Sequence, residues 1–168
     1  MMHIRDALRN APIFEGIDEE GLAEVLNIVR EKRFQKDDMI MQEGDEGSTM
    51  YMILEGELGV SKALTMKFGE DDYRKTEKVL NRLTAENHAL FGEMALIAED
   101  KRSASIQAVT DCVLLEISRE DFVRFIGSRP ELGVKILLNL SRLLIARLRQ
   151  SSQDVIRLTT ALSIALSK

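Results

Sequence analysis

Cysteine is scarce in this chain. Cys112 stands alone among 168 residues, so no intrachain disulfide can brace the fold, and a reducing, cytoplasmic setting is expected. The start, MMHIRDALRN, has no basic stretch followed by an apolar core, which argues against a secretory signal. No long apolar run survives uninterrupted either. The longest apolar region, residues 132–148, is broken by Lys135, Asn139, Ser141, Arg142 and Arg147, too many polar groups for a lipid-spanning helix. Positive charge is in deficit: 23 Lys and Arg against 28 Asp and Glu, a net −5, argue against nucleic acid as the main partner, because phosphate binding needs a concentrated basic face. The two histidines, His3 and His88, lie far apart, no metal-ligand spacing occurs, and no serine or cysteine sits in a nucleophile motif. No enzyme, metal or cofactor is expected.

With two prolines, ten glycines and 45% hydrophobic residues, the chain suits one well-packed domain with an additional helix. Its first forty residues read as short helices. Asp18 is an N-cap before EEGLAEVLNIV, where Leu22, Val25, Leu26 and Val29 recur at helical spacing. From Phe34 onward short strand-like segments alternate with turns: MIMQ, EGDEGS, TMYMIL, EGE, LGVSKAL, then KVLNRL, HALF, SASIQAV and CVLLEI. About eight short strands spaced by glycine-rich turns point to an antiparallel β-roll with flanking helices. Residues 65–78, TMKFGEDDYRKTEK, are charged and aperiodic, and are expected to form a long solvated hairpin loop with no metal role for Asp71 and Asp72. Met39, Met41, Met50 and Met52 fall at strand spacing and are expected as core filler. His88 is expected on a strand at the domain surface.

After Ser118, an N-cap for REDFVRFIGS, Pro130 opens a long helix running nearly to Lys168. Residues 1–130 therefore form the roll with its short helices, and residues 131–168 the long helix. Leu144, Leu148, Ser151, Val155, Leu158, Leu162 and Ala165 step by four and three, a seam suited to pairing with a second copy. The same stripe could instead pack on its own roll.

The stretch FGEMALIAEDKRSAS, residues 91–105, sets a glycine, a carboxylate and, nine residues later, an arginine inside otherwise apolar chain. Gly92 permits a close backbone approach, and Met94 to Ile97 can make one helical turn whose first amides remain unsatisfied. Arg102 offers a planar fork of donors to phosphate oxygens, and Glu93 accepts from hydroxyls such as those of a ribose. The two could also simply pair with each other. A ligand with one phosphate charge and a sugar hydroxyl satisfies both, which describes a nucleotide.

This run resembles the phosphate-binding cassette of the cyclic nucleotide-binding domain family: Phe-Gly-Glu, an apolar run containing Ala-Leu, then Arg, any residue, Ala. The flanks resemble it too, in LRNAPIFEGIDEEGLAEV, MIMQEGDEGSTMYMILEGELGV and VLLEISREDFVRFIGSRPEL, so the likeness runs from about Leu8 to about Leu148. The resemblance implies that Glu93 binds the ribose 2′-hydroxyl and Arg102 the cyclic phosphate, with backbone contacts from Gly92, Met94 and Ala95. Ser103, following the arginine as in the catabolite activator branch, would add a phosphate contact. Lys101 stands where a proline is usual. In RLRQSSQDV, Ser151 and Ser152 correspond to the polar pair that reaches the base, about one helical turn further from Pro130 than the family pattern. The ligand implied is cyclic AMP ahead of cyclic GMP.

The expected function is a non-catalytic cyclic nucleotide receptor that reports binding through its C-terminal helix, as a homodimer, to an unidentified downstream protein. The alternatives are a fragment of a catabolite-activator-type transcription factor without its DNA-binding domain, or a dimeric scaffold with a vestigial pocket. No direct DNA or membrane binding is expected.

Overall fold

The computed structural model describes residues 4–67, 73–87, 89–98 and 100–167. His3, His88, the Asp71-Asp72 pair and Lys168 lie outside the described residues. Helix α1 (Ile4–Asn10), a 3-10 turn (Pro12–Phe14) and α2 (Glu19–Val25) come first. The Asp18 side chain caps α2, accepting from the Gly21 amide at 2.9 Å. Helical spacing would carry this segment on to Val29. Instead a 3-10 turn (Leu26–Ile28) ends it and Val29 opens β1 (Val29–Phe34). Every residue of β1 has a partner in the strand Cys112–Ser118, so sheet pairing outweighs local periodicity there.

Strands β2 (Met39–Met41), β3 (Glu46–Gly47), β4 (Thr49–Glu55), β5 (Glu57–Lys67), β6 (Tyr73–Thr84), β7 (Leu90–Phe91), β8 (Asp100–Lys101), β9 (Ser105–Ala108) and β10 (Cys112–Ser118) follow. They form sheets of order β1-β10-β4-β7 and β2-β9-β5-β6, with β3-β8 as a two-stranded clip, paired antiparallel. This is the expected mainly-β roll with flanking helices. The described residues of the 65–78 segment are strand rather than loop: beyond a register shift at Val60 and Ser61, β5 and β6 remain paired out to Lys67 opposite Tyr73. Cross-strand pairing extends the hairpin although its sequence lacks hydrophobic alternation.

Strand β4 explains why MYMIL, residues 50–54, shows no polar alternation. Tyr51 and Ile53 enter a core inside the roll with Leu58, Phe91, Ile106 and Leu114, while Met50, Met52 and Leu54 join a second core under the helices. Buried on both faces, such a strand loses polar alternation. Met50 and Met52 are core residues, as expected, whereas Met39 is 47% exposed.

Helix α3 (Arg119–Ser128) starts where Ser118 Oγ accepts from the Asp121 amide. Helix α4 (Pro130–Leu166) has proline in its first turn, where a missing amide proton has no intrahelical partner to lose. Its first half packs on the helical core through Ile136 and Leu140, with Leu143 and Leu144 at the margin. Asn139, also buried, donates to the Ile13 and Glu15 carbonyls at 3.3 and 2.8 Å, tying α4 to the first 3-10 turn. From Ile145 to Ser167 every residue is exposed. The predicted seam therefore does not pack on its own roll beyond Leu144: Leu148, Val155, Leu158 and Leu162 are 60–71% exposed.

Candidate functional site

Strand β7 delivers Phe91 into the roll, where it stacks on Tyr51 with ring centroids 5.4 Å apart. The chain then turns through Gly92 at φ +74°, a left-handed conformation that favours glycine. A 3-10 turn, Glu93–Leu96, follows, with the Ala95 amide donating to the Gly92 carbonyl at 3.1 Å. Ala95 and Leu96 anchor this turn in the core, and Met94 is left half-exposed.

Glu93 is buried, 3% exposed, and buried carboxylates need partners. Its partner is Arg147 of α4, which donates to Oε1 at 2.5 Å and, through its other terminal nitrogen, to the Leu90 carbonyl at 2.6 Å. Arg102 is held from the opposite side. Its amide donates to the Asp45 carbonyl at 2.8 Å, and its carbonyl accepts from the Gly44 amide at 2.9 Å. Its terminal nitrogens donate to the carbonyl and the hydroxyl of Thr49, both at 2.8 Å. Burial lowers the Arg102 pKa from its ordinary value, partly opposed by the neighbouring Tyr51 phenol. Burial also raises the pKa of Tyr51, whose hydroxyl donates to Glu116 at 2.8 Å. Glu93 and Arg102 thus do not neutralise each other.

A cavity of about 420 Å³ opens between these groups. Gly92, Glu93, Met94, Ala95, Arg102 and Ser103 all line it, and Met41, Val60, Leu83 and Ile106 supply an apolar wall. Volume, apolar wall and a few convergent charges are the attributes of a small-molecule site. Ser151 and Ser152 are not brought to this cavity. Both are exposed beyond Arg147 on α4, and Ser152 Oγ bonds to the Leu148 carbonyl of its own helix at 2.9 Å. The lining residue that α4 does supply, Arg147, reads in sequence only as an interruption of an apolar region, and Thr49 as the first residue of a strand. Neither carries a local signal, because each acts across more than fifty residues of chain.

The profile of the cyclic nucleotide-binding domain family matches residues 31–129. This chain belongs to that family. Among members of the cyclic nucleotide-binding domain family, human cGMP-dependent protein kinase 2 is 31% identical over 129 residues, 76% of this chain and 16% of the kinase. The cyclic AMP receptor protein of Thermus thermophilus is 30% identical over 148 residues, 88% of this chain and 62% of that protein. The chain therefore spans a small part of the kinase and less than two thirds of the receptor. A crystal structure of a cyclic nucleotide-binding domain from Methylobacillus flagellatus superposes with a TM-score of 0.74 at 25% identity, covering 91% of this chain and 80% of that one. The chain is thus a cyclic nucleotide-binding regulatory domain, and domains of this family take cyclic AMP or cyclic GMP as ligand. Among the described residues no helix is long and apolar enough to cross a membrane.

Proposed function

We propose that this chain binds cyclic AMP, ahead of cyclic GMP, in the cavity between the Glu93–Leu96 turn and Arg102, and reports binding through α4. Glu93 accepts from the ribose 2′-hydroxyl, Arg102 donates to the cyclic phosphate, Gly92, Met94 and Ala95 offer backbone groups, and Ser103 adds a phosphate contact. The observation that carries this reading is that a carboxylate and a guanidinium line one cavity, each held by a separate protein partner and neither spent on the other. Preference for cyclic AMP is supported by the Arg-Ser-Ala run at residues 102–104, shared with the catabolite activator branch.

Residues 1–130 receive the ligand and residues 131–168 transmit. A ribose hydroxyl bonding to Glu93 meets a carboxylate already held by Arg147 of α4, so ligand and helix act on the same side chain. The ligand shifts α4 only by the difference in its affinity for the two arrangements. Ser151 and Ser152 would reach the base after such a shift. The exposed apolar residues of α4, Leu148, Val155, Leu158 and Leu162, support pairing of two copies in a cytoplasmic homodimer that hands the signal to a downstream protein.

Isothermal titration calorimetry with cyclic AMP and then cyclic GMP tests the reading, with Arg102→Ala as control. Saturable binding to the wild type, lost in the variant, is expected. Equal binding by both proteins would dismiss Arg102 as the phosphate ligand. Stronger binding of cyclic GMP would reverse the preference.

A further inference from the structure

Among the described glycines, Gly16, Gly44, Gly56 and Gly92 have positive φ. For these the backbone conformation itself calls for glycine. Gly47 is different. Its φ is ordinary, and it sits in β3, paired with Asp100 of β8. A Cβ placed there would overlap Nε and Cζ of Arg102 and stand 2.7 Å from its Cδ. The atoms that forbid a side chain at position 47 are thus the distal half of one arginine. A Cβ on Gly92 would likewise stand 2.7 Å from Nη1. The Arg102 side chain thus lies hard against two glycines.

We infer that Gly47 is a positioning residue for the anion-binding guanidinium, and that the whole segment from Gly44 to Thr49 is its scaffold. Gly44 and Asp45 hold the Arg102 backbone by two hydrogen bonds, Gly47 leaves a bare surface for the side chain, and Thr49 receives the terminal nitrogens. An arginine stem has several rotatable bonds, and confining it beforehand removes entropy that a ligand would otherwise have to oppose. The inference rests on the reading of Arg102 as the phosphate ligand.

The test uses Gly47→Ala, Arg102→Ala and the double variant, each titrated with cyclic AMP and cyclic GMP and melted without ligand. Because the alanine methyl meets side-chain atoms rather than backbone, the fold tolerates it and the arginine is displaced. Affinity for the better ligand should fall by about tenfold or more in Gly47→Ala, and the double variant should bind within about twofold of Arg102→Ala alone, the non-additivity expected of two residues serving one contact. If Arg102→Ala weakens binding while Gly47→Ala does not, or if the two losses add, the positioning role is wrong. If Arg102→Ala leaves binding unchanged, the reading of the pocket fails instead. Should Gly47→Ala not fold, recovery of the fold on adding Arg102→Ala supports the inference, and a double variant that also fails to fold overturns it.

Discussion

Arg102 and Glu93 bring opposite charges to one cavity but are held by different kinds of structure. Arg102 is gripped by the roll: the turn before β3 holds its backbone, and Thr49 at the start of β4 holds its terminal nitrogens. Glu93 is gripped by Arg147, on the part of α4 where packing against the core gives way to exposed helix. A group fixed within a sheet scaffold can hold a ligand without anything else moving. A group whose partner rides on a helix that leaves the core is coupled to that helix whether or not a ligand is present. Under the proposed function, this difference makes Arg102 the anchor for the ligand and Glu93 the group that reports to α4.

The largest expected effect tests the anchor. Arg102→Ala should reduce cyclic nucleotide binding by roughly 2–5 kcal/mol, by analogy with truncating one partner of a buried, hydrogen-bonded charge pair, while calorimetric melting without ligand changes little. Loss of the fold in that variant would make Arg102 a structural residue first. Glu93→Ala should weaken binding less, by about 1–2 kcal/mol, since the hydroxyl it accepts from can turn to water. A larger loss there than at Arg102 would invert the assignment.

Arg147→Ala separates reporting from anchoring more sharply. It leaves a buried carboxylate without its cation, but the arginine is 46% exposed, so the stability loss is screened to about 1–2 kcal/mol. Amide hydrogen exchange in α4 should then no longer respond to ligand even where the ligand still binds. An undiminished response would mean that the helix is coupled through some other contact. The smallest effect on the pocket belongs to the exposed end of α4. Val155→Glu with Leu162→Glu should abolish pairing in sedimentation velocity, because charges in a helical seam are poorly accommodated, and should change ligand affinity by less than about twofold. A protein that already sediments as a monomer before mutation would dismiss the seam as a pairing surface.

Much of this arrangement was legible in the residues themselves. Asp18 and Ser118 act as N-caps because capping depends on a side chain three residues from the amide it serves. Gly92 turns the chain, and the helical turn expected over Met94 to Ile97 forms one residue earlier, at Glu93–Leu96, for similarly local reasons. The run from Phe91 to Ser105 carried enough of the site to place all six cassette residues around one cavity. Prediction failed where strand pairing decided the outcome: Val29 left its helical pattern to pair with Ile117, and the charged hairpin gained strands out to Lys67 and Tyr73. Nor does the sequence say that Ser151 and Ser152 lie exposed beyond Arg147, since a helical repeat tells which residues share a face but not where the fold ends and solvent begins.

Local chemistry in the sequence alone thus determined the β-roll class, the caps, the long helix and the identity of the two charges. Their partners were decided only in three dimensions. Arg147 reaches Glu93 across 54 residues and Thr49 meets Arg102 across 53, and at such separations no propensity or periodicity operates. Only the packing of β4 and α4 around the 3-10 turn Glu93–Leu96 brings those atoms within hydrogen-bonding distance. The role of Gly47 came the same way: its backbone asks for nothing unusual, and only the folded position of Arg102 leaves no room there for a side chain.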